Sequence, residues 1–185
     1  RVLDIERDPA AQGFPAAGGY DSTFNPAGFC ATGQPYYDAF VARFKADGSG
    51  LVFATYLGGT CNQVATSVAL DPAGNIYVGG FTTSPVPSFP VTVGPMVTQP
   101  GGLMPGDGFV ARLSADGTQL GYCGYVGGTG SDAVYAIAVD SSGHAYVGGS
   151  TTSRQGLPVT VGPMLTAPDS DELDGFVAKV KPDGS

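Results

Sequence analysis

The sequence predicts an all-β fold made of β-propeller blades, and three observations support it. A hairpin phrase with an Asp-x-x-Gly turn between two apolar runs occurs at 68–80 and again at 137–149. A second phrase, which contains Phe-Val-Ala, occurs at 38–43, 107–112 and 174–179. No stretch of helical length places apolar residues at i, i+3, i+4 and i+7, so almost no helix is expected. Tandem four-stranded antiparallel units of this kind are typical of propeller blades.

The repeated phrases divide the chain into three units of four antiparallel strands. The Phe-Val-Ala phrases begin 69 and 67 residues apart, and each is followed by an Asp-Gly turn, where glycine adopts positive φ without strain. The predicted first strands lie at 64–70 and 134–139, the second at 75–82 and 144–151, and the fourth around 51–57 and 120–126. We expect blade 1 at 1–63, blade 2 at 64–132, and blade 3 at 133–185 without its last strand.

Unit one diverges from the other two. Its hairpin is a decayed copy that opens at Ile5 and closes at the pair Gly18-Gly19. Asp4 and Glu6 stand on its first strand, where unit two has Ser67 and Ala69. We therefore expect any partner-specific surface to involve this strand and the long loops.

The number of blades predicts exposed apolar faces. A blade has two such faces, and stacked neighbours must cover both. Propellers close with four to eight blades, whereas three units are present here. We therefore expect the chain to be part of a larger propeller or to be completed by identical chains. Small residues at equivalent places in the fourth strands, Ala54 and Cys123, favour close packing between blades.

The charge balance argues against a nucleic-acid partner. The formal net charge is −8 and the eight basic residues are scattered, whereas phosphate binding needs clustered Lys and Arg. No apolar run approaches the roughly 20 residues of a membrane span, so none is expected. Low charge with abundant Gly, Ser and Thr suits a secreted protein.

The sequence contains no motif that predicts catalysis. His144, the single histidine, occupies the turn position that Asn75 holds in unit two. A Ser-His-Asp triad needs a serine presented against the histidine, and no G-x-S-x-G elbow is present. We expect His144 to be a turn residue with local hydrogen bonds, and the protein to be no enzyme and to use no cofactor.

The three cysteines predict a disulfide and a buried thiol. They have no C-x-x-C spacing, which makes a zinc site improbable. Cys30 lies in the first long loop and Cys61 follows Gly58-Gly59, so both connections should emerge on the same face of a propeller. We hypothesise a Cys30–Cys61 disulfide, with Cys123 as a buried thiol between blades.

Two loop clusters are candidate binding sites. Aromatic side chains crowd the first long loop and its start, and they could stack on sugars or simply cap the blade edge: Tyr20, Phe24, Phe29, Tyr36 and Tyr37. An acidic cluster in the third long loop offers oxygen ligands for calcium but lacks the D-x-[DN]-x-[DN]-G register, so a solvated loop is favoured: Asp169, Asp171, Glu172 and Asp174.

Taken together, the phrases resemble the SBBP β-propeller repeat. They include 38–44, 55–60 and 67–84, and the resemblance spans essentially the whole chain. It implies a bacterial secreted or cell-surface protein and a seven-bladed propeller, and it brings no catalytic residues. The expected function is a non-enzymatic extracellular scaffold or self-assembly module, with further blades or identical chains as partners. The alternative is a carbohydrate-binding propeller that uses the long loops.

Overall fold

The computed structural model describes residues 17–24, 37–94, 106–157 and 173–185. These segments contain nine strands and no helix: β1 (Ala39–Phe44), β2 (Leu51–Leu57), β3 (Gln63–Leu70), β4 (Ile76–Thr82), β5 (Asp107–Leu113), β6 (Leu120–Val126), β7 (Asp132–Val139), β8 (Ala145–Thr151) and β9 (Asp174–Val180). Each begins and ends within two residues of the strand predicted from the repeats. The all-β expectation is therefore confirmed.

The strands form three antiparallel sheets in chain order. The second blade has the order β3-β4-β5-β6, and the third has β7-β8-β9. The first blade shows β1 paired with β2, and the predicted first strand of unit one lies outside the described residues. No helix in the described segments is long and apolar enough to cross a membrane.

The second blade is packed on both faces. One apolar cluster joins blade 1 residues such as Phe53 and Leu57 to one face of blade 2, where Phe109 and Cys123 are wholly buried. A second cluster joins the opposite face of blade 2 to blade 3: Tyr77, Val110, Tyr122, Val126, Val134, Ala145, Val147 and Val180. Stacking therefore buries both faces of the middle blade, as the repeat pattern predicts.

The long loops cover the outer edges of the fourth strands. Val93 bridges to Cys123 on β6, and Ala17 and Gly18 bridge to Ala54 on β2. The Ala54 N–H donates to the Ala17 carbonyl at 3.1 Å, and the Thr92 N–H to the Cys123 carbonyl at 3.2 Å. Exposed strand edges are templates for unwanted pairing, and these segments occupy them.

This arrangement corrects one expectation about unit one. Gly18-Gly19 was predicted to close the decayed hairpin, in the place of Gly79-Gly80. In the structure Gly80 pairs with Phe109 on the third strand, whereas Gly18 lies against the fourth. A Cβ at Gly19 would crowd Thr55, as one at Gly94 would crowd Gly124. The pair therefore belongs to the edge-covering segment.

Candidate functional site

A buried polar network connects the first blade to the second. We call residues 58–63 and 82–84 the first joint. The Gln63 side chain accepts from the Gly59 N–H at 3.1 Å and donates to the Ser84 hydroxyl. The same hydroxyl accepts from the Cys61 N–H at 2.7 Å. Because Gln63 and Ser84 are almost wholly buried, these bonds satisfy groups that would otherwise be costly to bury.

The second joint, residues 127–132 and 151–153, repeats the network with different chemistry. Here Asp132 takes the place of Gln63, and its Oδ2 accepts from the Gly128 N–H at 2.8 Å and from the Ser153 hydroxyl at 2.7 Å. Ser153 in turn accepts from the Gly130 N–H at 2.8 Å. Each joint thus ties the end of one blade's fourth strand to the next blade, which fixes the two blades together.

The outer face of the third blade repeats the face that blade 2 presents to blade 3. Tyr146 corresponds to Tyr77 and Val177 to Val110, because the strand registers match. Tyr77 and Val110 are fully buried, whereas Tyr146 is 39% and Val177 82% exposed. Lys179 lies over the Tyr146 ring at 5.0 Å, as Arg112 lies over Tyr77 at 5.8 Å. Within the described segments, the third blade therefore carries an uncovered copy of the surface by which blade 2 contacts blade 3.

Two further contacts of the covered face have uncovered counterparts. The Tyr77 hydroxyl donates to the Gly143 carbonyl of blade 3 at 3.2 Å. A Cβ at Gly79 would lie 2.6 Å from Val134 of blade 3, whereas one at Gly148, the equivalent position, would meet only the Phe176 carbonyl at 3.8 Å among the described residues. The space over Gly148 matches the space that a neighbouring valine fills over Gly79.

His144 is a turn residue, as predicted. Its N–H donates to Asp140 Oδ1 at 2.9 Å, and its Nδ1 lies 3.1 Å from Oδ2. Asn75 makes the equivalent backbone bond to Asp71 at 2.9 Å. The hydrogen bond from the His144 N–H, followed by the one from Ser142, lowers the pKa of Asp140 to about 2. The carboxylate therefore stays ionised and holds the turn.

The described aromatic candidates contact blade 1 and the first joint. The Phe24 ring lies 5.7 Å from the Tyr56 ring. The Tyr37 N–H donates to Asn62 Oδ1 at 3.2 Å, and its carbonyl accepts from the Gln63 N–H at 2.7 Å. Tyr20 is 39% exposed. Phe29, Tyr36, Asp4 and Glu6 lie outside the described residues, so a ligand surface here stays a prediction.

The acidic cluster falls mostly outside the described segments as well. Asp169, Asp171 and Glu172 are not among the described residues. Asp174 is the first residue of β9 and pairs with Thr151, in the place that Asp107 holds opposite Thr82. It therefore begins a strand, and the calcium hypothesis for the cluster stays untested.

The cysteines differ in environment. Cys123 is a free, fully buried thiol in the core between blades 1 and 2, which confirms that part of the prediction, and burial raises its pKa. Cys61 is 3% exposed and is not a free thiol. Cys30 lies outside the described residues, so its pairing with Cys61 stays a prediction.

Thiol counting tests that pairing. We expect no reactive thiol in the native chain, because Cys123 is buried and the other two are bonded. Denaturation without reductant should release one thiol, and reduction should release all three. Ellman's reagent measures each count, and a Cys123→Ser variant should remove the thiol seen on denaturation. Three thiols in denaturant alone would contradict the disulfide.

The hydrogen-bonded joints between blades are features that the sequence interpretation missed. Gly-Gly-Thr and Thr-Thr-Ser occur in both joints, and this recurrence was the available signal. Their partners are about 20 positions apart: Gln63 bonds Ser84, and Asp132 bonds Ser153. Since Gln63 and Asp132 differ in charge, the two positions do not look equivalent until the hydrogen bonds are compared.

Comparison with known proteins agrees with this architecture. Residues 52–85 and 117–155 match the SBBP model, described as a β-propeller repeat. Each match runs from the fourth strand of one blade through the second strand of the next, and so contains one joint. Over 109 residues the chain is 38% identical to the regulatory protein FlaEY of Caulobacter vibrioides. The alignment covers 58% of this chain and 10% of that relative, so the chain spans about a tenth of its length.

Proposed function

The chain carries SBBP β-propeller repeats, and from that premise we propose that it is a non-enzymatic, extracellular scaffold whose third blade binds a further blade of the same kind. The observation that carries the proposal is the difference between Val110, which is fully buried, and Val177, which is 82% exposed at the equivalent position. Apolar surface of this kind marks an interaction site. The turn role of His144, which contacts Asp140, supports a non-enzymatic protein.

The covered face of blade 2 specifies what the partner must present. Blade 3 covers it with an apolar surface that includes Val134, Val147 and Val180. It also offers the carbonyl of an Asp-x-x-Gly turn, at Gly143, to the Tyr77 hydroxyl. A partner for the third blade therefore needs a β-branched residue over Gly148 and a turn carbonyl that Tyr146 can reach. Both a second copy of this chain and another SBBP blade have this chemistry.

Substitution of Gly148 tests the proposal. A valine there should fit the isolated blade, since in the described part of the chain a Cβ meets only the Phe176 carbonyl at 3.8 Å, but it should fill the space that the partner needs. We expect the thiol of Val177→Cys to react quickly with maleimide when the chain is alone. With excess partner blade the reaction should be at least about tenfold slower, which corresponds to about 1.4 kcal/mol of protection. Adding Gly148→Val should restore fast labelling.

The matched control is Val52→Cys, because Val52 is 51% exposed on blade 1 and should label at one rate throughout. Two partners are tested. The first is a second copy of this chain, whose association is measured by sedimentation, and the second is a separate SBBP blade. Labelling of Val177→Cys that neither partner slows would contradict the proposal. Glycan binding that is lost in Tyr36→Ala would instead favour the carbohydrate-binding alternative.

A further inference from the structure

We infer that Tyr135 selects which blade can dock on the third blade, because its side chain stands where the second blade has a closely packed threonine. The inference rests on the proposed function, since it concerns the partner of the same outer face. It adds one requirement to those already derived for that partner: the first strand of the docking blade must leave room for a phenol ring.

Thr66 and Tyr135 occupy equivalent positions in the second and third blades. Each is the extra residue of a β-bulge in the first strand, where the pairing register shifts at 65–67 in β3 and at 134–136 in β7. A bulge re-aims the side chain that it carries. The two side chains therefore project from equivalent places, Thr66 towards blade 3 and Tyr135 towards the blade that docks on the outer face.

Thr66 makes a close contact between the second and third blades. Its hydroxyl oxygen lies 2.5 Å from the Val134 carbonyl oxygen on β7 and 3.0 Å from the Gly79 carbonyl oxygen of its own blade. The hydroxyl has a single proton, which it can donate to either carbonyl. Because the hydroxyl touches the backbone of the neighbouring blade, the gap between β3 and β7 at this point accommodates no side chain larger than threonine.

Tyr135 does not reproduce that contact. Its side chain is 55% exposed, and its hydroxyl accepts from the Ser150 hydroxyl on β8 at 3.4 Å, so the ring extends along its own sheet. A docking blade whose first strand packed as β7 packs on β3 would meet this ring. Overpacking of a close contact forces shifts of side chains and backbone, which are costly. Tyr135 therefore excludes a blade of that geometry.

The partner that Tyr135 selects is an SBBP blade whose first strand stands farther from the third blade at this point. The space over Gly148 stays open for the β-branched residue, since a Cβ there meets, within the described segments, only the Phe176 carbonyl at 3.8 Å. The Tyr135 hydroxyl accepts from Ser150 and has a proton of its own to donate to a more distant carbonyl. Such a blade gains a hydrogen bond where a β7-like strand meets a clash.

Moving the tyrosine into the covered interface tests the exclusion within the full chain. Val110→Cys is the reporter, because Val110 is fully buried in that interface and is the counterpart of Val177. Adding Thr66→Tyr should speed maleimide labelling of the new thiol at least about tenfold, which corresponds to about 1.4 kcal/mol. It should also lower the Tm by about 3–8 °C. Thr66→Ser keeps the short hydroxyl and should change neither result.

Tyr135→Thr is the reciprocal test on the outer face, where Val177→Cys is the reporter. The probe is an excess of a separate SBBP blade whose first strand has the sequence of β7, 132–139. With Tyr135→Thr, the probe should make labelling at least about fivefold slower than it does with the tyrosine, which corresponds to about 1 kcal/mol for the restored hydrogen bond. Tyr135→Phe keeps the ring and should behave like the wild type.

The two arms separate this inference from the proposed function. If the probe slows labelling equally with and without Tyr135→Thr, the tyrosine selects nothing and the inference is overturned, while the proposed function stands. If the probe slows labelling in none of these variants, docking of the probe fails and the Val110→Cys arm decides alone. In that arm, a Thr66→Tyr variant with unchanged labelling and unchanged Tm would overturn the inference.

Discussion

Replacing Gly80 by alanine is expected to destabilise the chain more than any other single methyl addition in the second blade. The new Cβ would collide with the Val64 carbonyl oxygen across the β3–β4 pair and would lie 2.8 Å from the Phe109 ring. A backbone oxygen cannot move without breaking the ladder beside the bulge at Ala65/Ser67. We expect a loss of about 3 kcal/mol or more in the free energy of unfolding, measured by urea denaturation.

The matched pair in the third blade separates this clash from a general effect of glycine replacement. Gly149 faces the Ala133 carbonyl as Gly80 faces that of Val64, so Gly149→Ala should be similarly harmful. A Cβ at its neighbour Gly148 would meet, of the residues that the structure describes, only the Phe176 carbonyl at 3.8 Å. Gly148→Ala should therefore be neutral or stabilising by about 0.5 kcal/mol, because alanine restricts the unfolded chain. Equal losses at 148 and 149 would refute the clash.

Phe109→Ala should have the second large effect, a loss of about 3–5 kcal/mol. Phe109 is fully buried, and its ring meets that of Phe89 at 5.1 Å, edge to face. It lies in the cluster that joins blades 1 and 2, so its removal leaves a cavity that two blades share. We expect urea unfolding with a lower midpoint and an unchanged slope.

Phe44→Ala is the control for this prediction. Phe44 belongs to the corresponding strand of blade 1 but is 49% exposed, so its loss should cost less than about 1 kcal/mol. If Phe109→Ala lowered the free energy of unfolding no more than Phe44→Ala does, the contact between blades 1 and 2 would not be the main source of core stability.

The strands were predictable from the sequence and the joints were not, for physical reasons. Turn chemistry is local, so Asp71 and Gly74 identify a hairpin without knowledge of the fold. The edge-covering segments make isolated bridges, such as Val93 to Cys123, and these produce no period-two pattern. Gly18-Gly19 was wrongly assigned to a hairpin, because a glycine pair can occur both in a hairpin strand and in a segment that covers a strand edge.

The candidate site was identified by comparing equivalent positions in the repeated blades rather than from a sequence motif. Tyr77 and Tyr146 have the same sequence context, and only their exposures, 0% and 39%, show which one is covered. Likewise the Asp132 N–H donates to the Gly106 carbonyl at 2.9 Å because β5 and β7, from different blades, begin side by side. Sequence spacing alone gives no sign of that proximity.

The covered strand edges restrict how copies of this protein can assemble. Backbone groups on the outer sides of β2 and β6 bond to the segments at 17–21 and 92–93, so these two strand edges cannot be extended by hydrogen bonding. Further blades can still add along the axis on which the faces of the blades stack. At these two edges the chain resists the lateral ladder growth of amyloid, whereas β9 stands at the edge of the third sheet.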